Sequence, residues 1–196
     1  MLAYLVLLLA VLSRILPHAL HSTAWNFTAV GGGLLFFGSR MGTEGAGFTR
    51  ASAAKLASAL AVLMATDYFL TVFVYQYPFH TSAYVVTWVW YAAICLLGMG
   101  LLEKASVLRV AAGVVASATS FFLISNFVVW MGGTVITMYP RTLAGLGACY
   151  TAAIPFYRND LVSTAIVAGA LFGLPVLATK IVDSIHAAQH NNLPLA

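Results

Sequence analysis

Apolar segments close to spanning length recur along the whole chain, and charged residues fall almost entirely between them. A transmembrane helix needs ~20 consecutive apolar residues. Lipid also requires each spanning segment to satisfy its own backbone hydrogen bonds, as a helix or a closed barrel. A transmembrane barrel would alternate apolar and polar residues, whereas these runs are continuously apolar. The pattern therefore points to a polytopic helical bundle. Composition agrees: 7% of residues are charged and 62% hydrophobic, against about 25% and about 45–50% in a soluble domain. So few charges cannot cover a water-soluble globule, which excludes a soluble enzyme, a nucleic-acid-binding domain and a disordered chain.

The expected fold is all-α, a polytopic membrane protein with six transmembrane helices in a single domain over residues 1–196. The spans are expected at about 2–16, 25–38, 51–74, 82–102, 107–131 and 161–181. Gly31-Gly32-Gly33 in the second span allows close backbone approach, and Ala53, Ala57 and Ala61 form a small-residue packing face in the third. The Gly-rich loop from Ser39 to Thr49 lacks the lysine-Ser/Thr ending of a phosphate-binding loop. Residues 142–157 are apolar but short, closing on Pro155 and Arg158-Asn159-Asp160. They read as a short extra helix, re-entrant or on the surface, before the last span. Cys95 and Cys149 lie in separate apolar segments without metal or redox spacing and read as small buried hydrophobes. The N-terminus has no cationic leader region, so a retained first helix is expected.

Basic residues in short loops orient such a bundle. With six spans, Arg40, Arg50, Lys55, Lys104, Arg109 and Lys180 share one side with both termini, and Arg14, Arg141 and Arg158 lie on the other. Both termini are therefore expected in the cytoplasm. The first, third and fifth loops, rich in His, Trp, Tyr, Asn and Pro, then face outward.

Among candidate site residues, Asp67 is the one acid placed inside a span, seven residues from the outer end at Val74, or ~10 Å deep. A carboxylate there costs ~3 kcal/mol unless paired, protonated or hydrogen-bonded. It serves either a ligand site or a structural bond to a neighbouring helix. Asp67, Thr71 and Tyr75 share a helical face. His80, Tyr84, Thr87 and Tyr91 form a stripe on the fourth helix. Such stripes are either packing and interface belts or, with an imidazole at the head, a place for a transition metal. Thr119, Asn126 and Trp130 share a face of the fifth helix, with Tyr139-Pro140-Arg141 beyond it. The fork of donors on Arg141 suits an anionic or amide-rich ligand, or equally a lipid headgroup. Trp25-Asn26-Phe27 opens the second helix on the same side, and Tyr75, Tyr77 and Phe79 populate the third loop. No arrangement for nucleophilic catalysis and no ATP-binding motif stands out, and a non-enzymatic protein without a cofactor of its own is expected. A membrane-embedded metal or redox enzyme using Asp67 and His80 is the alternative.

The ordered set Arg14-Ile15-Leu16-Pro17-His18, Trp25-Asn26-Phe27-Thr28, Asp67, Phe79-His80-Thr81, Asn126, Tyr139 to Leu146 and Ala153-Ile154-Pro155-Phe156 resembles the S-components of energy-coupling factor (ECF) transporters. Within them it is most similar to the BtuM-type cobalamin transporters. The resemblance implies a substrate-binding uptake subunit of the bacterial cytoplasmic (inner) membrane. Its outward-open pocket would take cobalamin or a related corrinoid, and it would work with an ECF module or alone, or, in the broader superfamily, take another small vitamin. A loop residue, cysteine in some such proteins, ligates the corrinoid cobalt; here His80 resembles the residue at that position. Trp25, Asn26, Asp67, Tyr75, Tyr77, Phe79, Tyr84, Asn126, Tyr139 and Arg141 would complete the site. The first helix, with Ala3 and Ala10 among leucines, departs from the Ala-x-x-x-Ala face on which many S-components dock.

Overall fold

A computed structural model describes residues 1–15, 28–42, 47–132 and 138–191, with side chains described as far as His186. Six helices make up the described chain: α1 (Leu2–Ser13), α2 (Val30–Ser39), α3 (Arg50–Phe69, continued by a π turn over Leu70–Val74), α4 (Thr81–Leu101), α5 (Val107–Gly132) and α6 (Leu143–Asn191). The described residues contain no strand. Four helices, Arg50–Val74, Thr81–Leu101, Val107–Gly132 and Leu143–His186, are long and apolar enough to cross a membrane. The protein is therefore a helical membrane protein.

The first two helices are shorter than the sequence suggests. With 12 and 10 residues they measure ~18 and ~15 Å at 1.5 Å per residue, about half of a ~30 Å hydrocarbon core. Their inner ends meet: the Ser13 hydroxyl accepts the Ala29 N–H at 2.9 Å, just before α2 begins.

Nothing breaks the chain between residues 142 and 161. In place of a short separate helix, α6 runs through Pro155 and Pro175 in one piece. A membrane helix tolerates proline because neighbouring groups re-satisfy the freed backbone. The supposed surface segment is in fact packed on α5. Tyr150 donates to the Leu123 carbonyl at 2.7 Å, the Cys149 thiol to that of Asn126 at 3.5 Å, and the Tyr157 and Thr119 hydroxyls are 2.9 Å apart. These pairs run antiparallel and put Tyr157 level with the middle of α5. Arg158-Asn159-Asp160 is thus helix interior rather than a span boundary.

α2 is the centre of the core. Leu34, Leu35, Phe36 and Phe37 are essentially inaccessible. Glycines on α2 let its neighbours close in: a Cβ at Gly32 would stand 2.8 Å from Val167 on α6, and one at Gly33 2.9 Å from Ala10 on α1. The tightest crossing is with α4. There a Cβ on Gly38 would overlap the Cys95 carbonyl, and one on Gly98 would overlap the Leu35 carbonyl. The same crossing brings the α2–α3 and α4–α5 junctions to one end of the bundle, where Lys55 donates to the Arg40 and Met41 carbonyls and Arg109 to that of Lys104. The Thr49 hydroxyl caps α3 by accepting the Ser52 N–H.

Candidate functional site

At the inner end of α1, Arg14 reaches across to Asp67 on α3. Its Nη2 donates to Asp67 Oδ1 at 2.5 Å, and the Trp88 indole N–H on α4 donates to Oδ2 at 2.8 Å. Asp67 is 1% exposed and Arg14 19%. Both carboxylate oxygens are thus engaged by donors from two other helices, the condition under which a charge is tolerated in a low-dielectric interior. Tyr91, one turn along α4, is close enough to interact electrostatically with both partners. The second guanidinium nitrogen, Nη1, is buried with no hydrogen-bond partner among the described residues.

The helix leaves its regular path just beyond Asp67. Thr71 donates to the Asp67 carbonyl at 2.7 Å and lies 2.5 Å from the Tyr84 hydroxyl. The π turn over Leu70–Val74 closes with Tyr75 N–H on the Leu70 carbonyl. Single π turns are rare in helices and often sit at functional sites. The chain then turns sharply at Gln76, whose φ is +57°.

The third loop and the start of α4 form an aromatic wall above the ion pair. Phe79 stacks on Tyr84 with centroids 4.9 Å apart, and Tyr84 on Trp88 at 6.1 Å. Tyr68 meets Phe79 edge-on at 5.2 Å. His80 is exposed and is the residue from which α4 starts; Tyr75 and Tyr77 beside it are also exposed. Phe79, Tyr84 and Trp88 are therefore stacked in one column that ends on the buried Asp67, and the exposed His80 follows Phe79 in the chain. Among the described residues, no three His, Cys, Asp or Glu side chains converge as a metal site.

The remaining candidates lie on the α5–α6 side. Arg141 donates from Nη2 to the Met131 carbonyl at 3.0 Å, and Trp130 donates to the Pro140 carbonyl at 3.0 Å. These bonds tie down the corner between α5 and α6. Tyr139 is half-buried at that corner. Asn126 bonds back to the Phe122 carbonyl of its own helix at 2.8 Å. It also lines a cavity of about 210 Å³ together with Thr28, Ser125, Tyr157 and Asp160. Trp25 and Asn26 lie outside the described residues.

The sequence did not single out Arg14 as the partner of Asp67, nor Trp88 as its second donor. A usable signal existed: the expected topology puts Arg14 and Asp67 towards the same side, and Trp88 is one turn from Tyr84 and Tyr91 on the stripe already identified.

These features define a helical integral membrane protein with a charge pair held inside the bundle beneath an aromatic surface. The chain belongs to the family described as "Family of unknown function (DUF6580)", which matches residues 1–186. No curated protein and no solved structure matches it.

Proposed function

We propose that the protein is a substrate-binding membrane subunit of an uptake system, of ECF S-component type, whose ligand is cobalamin or a related corrinoid. The observation carrying this reading is the column of stacked Phe79, Tyr84 and Trp88 that leads to the buried Asp67–Arg14 pair, with exposed His80 next to Phe79 in the chain. Flat rings cover apolar ring faces and a few convergent polar groups fix orientation, the usual makeup of a small-molecule site. His80 offers one unshared imidazole, enough for an axial bond to a cobalt that the corrin already holds on four sides. Trp25, Asn26, Tyr75, Tyr77, Asn126, Tyr139 and Arg141 would border the ligand. In this reading the corrinoid is cargo and the protein, a non-enzyme, carries no cofactor of its own.

The short helices α1 and α2 would be the first two of six spans. Both termini would lie in the cytoplasm of a bacterium, with the protein in its inner membrane. An ECF module would energise uptake, or the protein would act alone, as the lack of an Ala-x-x-x-Ala face on α1 favours.

The test is a visible spectrum of protein purified from cells grown with cobalamin. Corrinoid bands are expected, and His80→Ala should shift them and weaken retention. Retained corrinoid with unshifted bands would remove His80 from the cobalt. A colourless protein that takes up no added cobalamin would overturn the ligand and favour a different small vitamin. A Soret band would instead favour a redox protein.

A further inference from the structure

A second acid lies inside the bundle, between α2, α5 and α6. Asp160 is one helical turn beyond Tyr157, whose hydroxyl meets Thr119 at the middle of α5. Asp160 lines the cavity of about 210 Å³ and, among the described residues, has no ion-pair partner, in contrast to Asp67. An unpaired carboxylate at this depth is expensive, and intramembrane acids mark ion or substrate pathways more often than packing.

Two hydroxyls next to it are equally unaccounted for. Ser117 on α5 and Thr164 on α6 are both fully buried, and neither oxygen has a hydrogen-bond partner among the described residues. Buried hydroxyls nearly always find one. Thr164 is four residues from Asp160 on α6 and so shares its helical face. The two hydroxyls converge on Gly31 of α2: a Cβ there would stand 2.6 Å from Thr164 Oγ1 and 3.2 Å from Ser117 Oγ. The missing side chain therefore lets the α2 backbone close on both hydroxyls, and the open space lies beside them in the cavity that Asp160 lines. Thr28, before α2, adds a further hydroxyl at the cavity wall.

We infer that Asp160, Thr164 and Ser117 form a binding site for a sodium-sized monovalent cation. The donors are all oxygen, the preference of a hard cation, and the single carboxylate balances one positive charge. A cation bound by the hydroxyl oxygens would at the same time balance the charge of the carboxylate. The position fits as well, because the site lies level with the middle of α5, and secondary transporters hold coupling ions near the middle of their spans. The site stands on its own residues. Only its use as a driving ion rests on the uptake reading, and ion binding is measured without the organic ligand, so either can fail alone.

The full-length protein in detergent is to be unfolded thermally in sodium, potassium and choline chloride at equal ionic strength, with radiolabelled Na⁺ binding measured in parallel. A saturable stabilisation by Na⁺ over choline is expected. Asp160→Asn should abolish it. Ser117→Ala and Thr164→Val should each weaken the apparent Na⁺ affinity about tenfold or more, as loss of a group supporting a metal site does. Asp183→Asn, at an exposed acid away from the cavity, should keep the Na⁺ response. Should Asp160→Asn fail to fold, the two hydroxyl variants decide. Identical behaviour in sodium and choline, or a sodium response that survives all three substitutions, would overturn the site.

Discussion

Arg14 and Asp67 stand 53 positions apart in the chain, yet they meet at 2.5 Å in the interior of the bundle, where the end of α1 abuts α3. The pair resolves the choice left open for Asp67: a bond to a neighbouring helix is present, and a ligand role must coexist with it. Removing one partner strands the other as a buried charge, at a cost of ~3–5 kcal/mol. Asp67→Leu and Arg14→Met should each lower thermal stability sharply in detergent. The double variant should be more stable than either single one, because no charge is stranded. A double variant that simply sums the two losses would show that the pair is not coupled.

Trp88 supplies the other hydrogen bond to Asp67, at 2.8 Å, as well as the lower ring of the aromatic column. Trp88→Phe separates these roles by keeping a ring and deleting the N–H. The loss of one bond to a charged acceptor is expected to cost ~1.5–3 kcal/mol, with intrinsic fluorescence and thermal unfolding as readouts. Trp88→Leu should lose more, since the stack on Tyr84 goes too. Equal stabilities for the two variants would assign the role of Trp88 to packing alone.

Much of the architecture was legible because it depends on periodicity and length. Four long apolar helices follow from runs such as Ala51 to Val74 and Val107 to Met131, and the Gly31-Gly32-Gly33 run does sit at close helix contacts. The lower half of the stripe, Tyr84 to Tyr91, follows from helical spacing in the same way. What stayed hidden was long-range. Pairing of Arg14 with Asp67 requires knowing that α1 ends inside the bundle, which no local pattern states. Pro155 and the polar Arg158-Asn159-Asp160 carry the local signature of a helix end, but packing against Thr119, Leu123 and Asn126 carries the helix through. Asp160 is hidden for the same reason: a boundary acid needs no explanation, whereas an interior one does.

Arg141 is anchored to the Met131 carbonyl in an exposed corner. An exposed hydrogen bond of this kind contributes roughly 1 kcal/mol, so Arg141→Ala should change the melting temperature little. If the guanidinium also faces the ligand, as proposed, the same substitution should weaken corrinoid retention by much more than it lowers stability. Arg141→Lys discriminates further, because a lysine cannot reproduce a planar fork. Unchanged retention in both variants would confine Arg141 to the corner.

The crossing of α2 and α4 rests on two glycines facing backbone. A Cβ on Gly38 would overlap the Cys95 carbonyl and one on Gly98 the Leu35 carbonyl, so neither clash can be relieved by turning a side chain. In lipid, where apolar burial gives no drive for helices to associate, such close approach is a main source of packing energy. Gly38→Ala and Gly98→Ala should each destabilise by at least ~1–3 kcal/mol, the usual cost of overpacking. Gly100, also on α4, has nothing within 4 Å of a would-be Cβ. There, alanine should be neutral or stabilise by up to ~1 kcal/mol through helix propensity. Thermal unfolding of the three variants side by side checks the crossing: comparable changes at Gly98 and Gly100 would mean that α2 and α4 do not meet in this way.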